Sequence, residues 1–428
     1  MSALNLRSGA RWGRPRLFTS YETEASIFPT WTQRIAAAVL VLVLVLMPFD
    51  LPVISQLPFI RFLGDDVWLR IVNSVLIFAI AAVGLNLLLG VGGQVSLGHA
   101  FFMGVGAYAA VVLGTEGGGT LWGLGLPIWV WLPGAGIAAA LAGIIVSPTA
   151  VRVRGLYLAI VTLGLVFLGQ HLGRMFSEIA GPAGLGRRWP NFDIRIWKEE
   201  EPFIDMSSGG SWLWFDVSKN MKTYFFLLIL TIVLTIIAKN LVRTRTGRAL
   251  QAIRDRDVAA EIMGVPEARY KLIAFSISSF YAGVAGALLA SFAVQMSPEN
   301  WSLFLSVEII AIVLIGGAGT TAGAILGTLF VILGPNFVEE FTRWLAERGD
   351  TGGPVGFIAD LVLTTGARGD GGAIATGTTS PGWALSVFDW NQVLYGVLIV
   401  VFLIFEPLGL YGLWVRVRNY WKGWPFTY

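Results

Sequence analysis

Apolar stretches of membrane-crossing length recur along the chain, separated by polar or glycine-rich breaks. A spanning helix needs about 20 mostly apolar residues. Residues 35–55, 68–91, 128–147, 157–174, 223–239, 272–294 and 391–411 read as such spans. Residues 95–113 are less apolar but long enough for a glycine-rich internal helix. Residues 305–336 are too long for one span and are cut by Gly316-Gly317-Ala318-Gly319-Thr320-Thr321. The pattern there predicts two helices, 305–316 and 321–336, joined by a tight turn. The expected fold is an all-α polytopic membrane protein of about ten transmembrane helices.

Composition agrees. The chain is 55% hydrophobic and only 13% charged, against about 25% charged in soluble domains. Its 52 glycines suit close approach of helix backbones in lipid. The absence of cysteine excludes disulfides and thiolate metal sites, and two histidines, His99 and His171, exclude a multi-histidine metal centre. The net charge of +3 does not point to nucleic acid, because the basic residues sort by membrane side.

Basic residues favour the cytoplasmic face. With ten spans and both termini inside, the inner segments are the arginine-rich tail 1–34, Arg152 and Arg154, residues 244–271, and the tail 412–428 with Arg416, Arg418 and Lys422. The outer segments are then 175–222 and 337–390, both net acidic. Nine spans would put the acidic loop inside and the basic tail outside. Tail 1–34 is long for a secretory signal, and no small-x-small site follows the first apolar run. That run, which opens the permeating domain 35–411, therefore reads as an uncleaved anchor. Trp189, Trp197, Trp212 and Trp214 in the first outer loop suggest contact with headgroups or an outer partner. Gly134-Ala135-Gly136 and Gly317-Ala318-Gly319 each open a small-residue helix that ends near a proline, Pro148 or Pro335, and the two helices run in opposite directions. That echo is the pattern of an inverted repeat.

Thr244 to Lys271 is the most polar interruption, dense in both signs of charge between two apolar runs. Leu250, Ile253, Ala260 and Met263 recur at near-helical spacing, with Asp257 breaking the stripe. Gly264 ends the helix and Pro266 blocks its continuation. The reading is an amphipathic helix over 247–264 that docks a soluble partner. A helix lying on the inner leaflet is the alternative, and the acidic residues weigh against it.

Catalytic patterns are missing from the sequence. There is no Walker A motif, no HExxH and no Ser/His/Asp arrangement, so energy must come from a gradient or a partner. Charges inside lipid usually mark function, and here they are few. Glu308 begins the eighth span near the outer surface. The milder candidates for a translocation path are Asn86, Gln94, Ser96, His99, Thr162, Ser276 and Ser279, with Asn73, Gln170 and Ser278 beside them. Hydrogen bonding between helices is the competing role for each.

Val258-Ala259-Ala260-Glu261-Ile262-Met263-Gly264 resembles the cytoplasmic coupling loop of ABC importer permeases. Residues 84–110, 154–164, 247–288, 297–327 and 394–412 each resemble blocks of LivM-type branched-chain amino acid permeases, in order along the chain. The long tail, the enlarged 175–222 loop, the 337–390 insertion and Ala180-Gly181-Pro182-Ala183-Gly184 depart from that pattern. The resemblance implies a transporter subunit rather than an enzyme, in a bacterial inner membrane. It implies a second, LivH-like permease, two ATPase subunits that bind the ATP and magnesium, and an extracytoplasmic binding protein. It also implies that Arg248, Arg254, Asp255, Arg256, Ala259, Ala260, Glu261 and Gly264 form the coupling contacts. A urea or short-amide permease and a gradient-driven carrier are the alternative functions.

Overall fold

The computed structural model describes residues 31–49, 66–118, 121–153, 155–182, 187–195, 204–206, 208–212, 215–338, single positions between 393 and 406, and 409–423. Its helices are α1 Trp31–Leu46, α2 Asp66–Asn86, α3 His99–Gly114, α4 Ile128–Arg152 and α5 Leu156–Met175, followed by α6 Lys219–Arg243, α7 Arg245–Ile262, α8 Glu267–Ala293, α9 Leu303–Gly316, α10 Thr321–Thr328 and α11 Gly409–Gly423. Seven helical stretches among the described residues are long and apolar enough to cross a membrane, and α1 and α3 are shorter apolar helices. More than half of the expected span 391–411 falls outside the described residues, as does most of the 337–390 loop.

Helix α8 is the hub, packed by α2, α3 and α4. Small residues make this possible. A methyl on Gly106 of α3 would overlap the backbone of Gly283 of α8, and one on Gly283 would overlap Ala139 of α4. With lipid outside, close backbone packing replaces hydrophobic exclusion as the main source of helix association. The outer faces of α5 and α6 carry exposed Ile160, Phe167, Ile229 and Ile237, as expected of surfaces meeting acyl chains.

Two helices are broken as the glycine pattern predicts or beyond it. The turn Gly317–Gly319 separates α9 from α10, with φ of +112° and +93° at its two glycines, values that side-chain-bearing residues rarely adopt. The Thr320 hydroxyl caps α10 by accepting from the Gly323 N–H at 3.1 Å. The break in α2 has no turn residue to announce it. It runs on as a π-helix, Leu87–Val91, a bulge often found at functional sites.

The proposed echo of glycine motifs differs at its two ends. Gly134–Gly136 lies inside the continuous α4, which starts at Ile128 and tolerates Pro133 in its second turn. Gly317–Gly319 is a true turn. Pro133 lacks the N–H that an i−4 bond needs past the first turn, yet α4 runs through it, and its start at Ile128 agrees with the expected span 128–147.

The 175–222 segment folds back on the bundle where it is described. Arg187–Arg188 pairs antiparallel with Gln295–Met296, and Trp189 is buried with its ring 5.6 Å from that of Tyr108. Trp197 and Trp214 lie outside the described residues. The Arg187 side chain donates to the Thr115 hydroxyl at 2.6 Å, and burial pushes its guanidinium below the usual range.

Candidate functional site

The polar loop and the ends of the broken helices meet at one end of the bundle. Helix α7 contacts α6, α8 and the π-helix. Its first segment packs inward through Ala249, Leu250 and Ile253, all buried. The helix then kinks at Arg256, whose φ/ψ of −155°/97° is extended rather than helical. The Asp257 carboxylate accepts the Val258 N–H at 2.8 Å and starts the second segment. This segment stops at Gly264, φ +86°. The Gly264 N–H donates to the Glu261 carbonyl at 2.9 Å and the Val265 N–H to the Ala260 carbonyl at 3.0 Å, the paired bonds of a Schellman ending.

The kink changes which residues face out. Ala260 is buried, while Val258, Ile262 and Met263 are 60%, 80% and 83% exposed. The expected apolar stripe therefore holds for Leu250, Ile253 and Ala260 and fails for Met263. Ala260 stays buried beyond the kink, so the stripe survives it; Met263 is the C-cap residue, at φ −79° and ψ 6°, and leaves the stripe where the helix ends. Ala259, Glu261 and Gly264 share this exposed tip, and Arg248, Asp255 and Arg256 are exposed along the rest of the helix.

Arg254 is solvent-facing over much of its length, but its Nη1 donates to the carbonyl oxygen of Gly90 in the π-helix. Asn86 lies alongside, its Oδ1 accepting the Gly319 N–H at 2.7 Å. A cavity of about 240 Å³ opens here, lined in part by Gln94, Arg254, Asp255, Asp257, Glu267 and Lys271. Lys271 is buried, 2.5 Å from the Glu267 carboxylate and 3.3 Å from the Ala150 carbonyl.

The mild polar residues separate into bonded and unbonded sets. The His99 ring Nε2 lies 3.1 Å from the Ala81 carbonyl. The Thr162 hydroxyl accepts the Leu97 N–H and donates to the Ala159 carbonyl, both at 3.0 Å. The Ser96 hydroxyl accepts the Gly98 N–H, and the Asn73 amide donates to the Asn220 carbonyl. Gln170 donates to the Trp301 carbonyl at 3.2 Å, and Ser276 to the Leu272 carbonyl at 2.9 Å. The bonds of His99, Thr162 to Leu97, Asn73 and Gln170 join separate elements, the role weighed for them, whereas that of Ser276 lies within α8 and that of Ser96 within its own turn. The buried amide of Gln94 and the hydroxyls of Ser278 and Ser279 have no such partner. Ser278 lies towards Gly84 of α2 and Ser279 against Gly143 of α4, so the two serines occupy different helix interfaces. Glu308 is half-buried on α9. Among the described residues there is no cluster of three or more metal-ligating His, Asp or Glu side chains.

A small-residue helical bundle with seven stretches of membrane-crossing length and a kinked, exposed helix at one end is a polytopic membrane protein. The family model described as branched-chain amino acid transport system / permease component matches residues 67–403, and the chain belongs to that family. It is 32% identical over 279 residues to the high-affinity branched-chain amino acid transport system permease protein LivM of Escherichia coli (strain K12), covering 64% of each chain. It is 27% identical over 154 residues to a probable branched-chain amino acid transport permease protein LivH of Methanocaldococcus jannaschii, 36% of this chain and 44% of that one. A shorter match, 36% over 100 residues, is to the autoinducer 2 import system permease protein LsrC of Enterobacter sp. (strain 638), covering 22% and 29%. The matched region spans under two thirds of the length of the LivM relative. No solved structure matches the chain significantly.

Proposed function

We propose that this chain is the membrane permease subunit of an ATP-binding cassette importer for branched-chain or other hydrophobic amino acids, in a bacterial inner membrane. The observation that carries the proposal is the tip of α7, where Val258, Ile262 and Met263 stand exposed on a rigidly capped segment. Apolar side chains placed in water beside charged ones fit a groove on a soluble protein. In this reading α7 inserts into a partner ATPase, with Arg248, Asp255, Arg256, Ala259, Glu261 and Gly264 around the apolar tip.

The arrangement has ten spans with both termini cytoplasmic. The permease domain covers 35–411, between cytoplasmic tails 1–34 and 412–428; 175–222 and 337–390 lie outside and 244–271 inside. The gathering of helix ends supports it, because α7, the π-helix end of α2 and the Gly317–Gly319 turn lie together. A LivH-like second permease, two ATPase subunits and an extracytoplasmic binding protein complete the machine, and ATP with magnesium is bound by the ATPases. A path lined by Asn86, Gln94, Ser96, His99, Thr162, Ser276, Ser279 and Glu308, with few charges, suits a small zwitterion with an apolar side chain. Nucleotide-driven movement of α7 shifts the pore between two states by differential contact.

The test is uptake into membrane vesicles with and without the partner ATPases. Labelled leucine should enter only when they are present, and urea should not. Uptake that survives their removal points instead to a gradient-driven carrier. Urea entry in place of leucine points to an amide permease.

A further inference from the structure

We infer that Arg254 is a positioning residue that ties the loop helix α7 to both broken helices of the core. Movement of the loop then reaches the two glycine-containing breaks through this side chain, beside the apolar packing of Ala249, Leu250 and Ile253. The inference rests on the importer reading, and it gives Arg254 a role other than contact with the ATPase.

The π-helix supplies the attachment point. The N–H groups of Gly92, Gly93 and Gln94 bond to the carbonyls of Leu87, Leu89 and Leu88, and none of them takes the Gly90 carbonyl. Arg254 Nη1 fills that vacancy in the ladder. The stem reaches it by crossing Gly93, where a Cβ would stand only 2.8 Å from Arg254 Cγ. The same Nη1 lies beside Gly319, where a Cβ would stand 3.1 Å away. Both glycines have positive φ, +67° and +93°. The Gly319 N–H is in turn held by Asn86. One guanidinium thus sits where the end of α2, the α9–α10 turn and α7 converge, and two glycines make the room for it.

The position along α7 matters equally. Arg254 is two residues before the kink at Arg256, so it anchors the packed segment while the exposed tip lies beyond the kink. A push on the exposed tip meets the core at buried Ala260 beyond the kink and at Arg254 before it. A guanidinium suits this task because its several donors keep a planar, pre-organised geometry. Bistable helix breaks are the elements that convert small displacements into a change of state.

The experiment uses the full complex in proteoliposomes, with Arg254→Gln, Arg254→Lys and Gly93→Ala. The chain has no cysteine, so spin labels at Gln251→Cys and Ala322→Cys, in a complex whose partner subunits are cysteine-free, report the distance from α7 to the start of α10. The unsubstituted protein should show a narrow distance distribution, both nucleotide-free and ATP-trapped. In R254Q the ATPases should still co-purify and hydrolyse ATP. Uptake per ATP should fall by about tenfold, and the label distances should broaden. R254K keeps one donor and should recover part of the coupling. G93A displaces the Arg254 stem without altering charge and should reproduce the R254Q phenotype, which keeps the test decisive if R254Q does not accumulate.

Unchanged uptake per ATP with narrow distances in R254Q or G93A overturns the inference. Loss of ATPase co-purification in R254Q, with coupling intact in G93A, also overturns it and makes Arg254 a docking contact. Uptake independent of ATP in the unsubstituted complex defeats the importer reading itself, and is recognised without any variant.

Discussion

The side-chain oxygen of Asn86 accepts the backbone N–H of Gly319 at 2.7 Å, joining positions 233 residues apart in the chain. Asn86 is fully buried at the end of α2, and Gly319 forms the turn between α9 and α10. The bond closes one break in the bundle with a side chain from the other. Asn86→Ala should leave that N–H without an acceptor and cost about 1–3 kcal/mol. The readout is a lowered thermal midpoint of the detergent-solubilised protein. An unchanged midpoint would show that the turn is held by Thr320 alone.

Glycine substitutions should separate packing from backbone freedom. Gly106 faces the Gly283 backbone, and backbone cannot step aside as a side-chain tip can. Gly106→Ala should therefore destabilise by about 1–3 kcal/mol through overpacking. Gly164, in the middle of α5, has open space around it. Gly164→Ala should be neutral or stabilise by roughly 0.5–1 kcal/mol, because alanine loses less entropy in a helix. Thermal midpoints of the two variants, measured side by side, decide this.

Ile262→Glu and Met263→Glu place charge on side chains that are 80% and 83% exposed. Folding stability should stay within about 0.5 kcal/mol. Recovery of the ATPase subunits with the permease should fall sharply, and uptake with it. Full recovery of the ATPases from both variants would mean that the α7 tip is not the docking element.

Breaking the Lys271–Glu267 pair should be costly because both side chains are about nine-tenths buried. Glu267→Ala leaves the Lys271 ammonium with the Ala150 carbonyl, 3.3 Å away, but without its counter-charge, at a cost of up to about 3 kcal/mol. Lys271→Met should be milder, since it removes the charge that needs a partner. The comparison of the two melting temperatures is the measurement, and equal losses would argue that packing rather than charge dominates.

Much of the site is legible in the sequence wherever a local rule governs it. The end of α7 at Gly264 follows from the need for a left-handed residue after the last turn. The split at 317–319 follows from glycine spacing, and the burial of Leu250 and Ile253 from helical period. The exposure of Met263 does not follow, because periodicity assumes that the helix continues, and Met263 is the cap residue at which α7 ends. The π-helix at 87–91 is equally silent in sequence, since Leu-Leu-Leu-Gly-Val suits an ordinary helix.

The sequence by itself determined the class of this protein: helical, polytopic, without nucleotide-binding or catalytic motifs, and with one polar helix turned to water. Those features depend on composition and on periods of a few residues, which no distant contact alters. The tertiary structure alone decided what each polar residue of that helix does. Arg254 turns back to the Gly90 carbonyl because a π-bulge 164 residues earlier frees an acceptor there, and Asn86 serves a turn far along the chain. Such pairings depend on how three chain segments converge, and no stretch of sequence carries that information on its own.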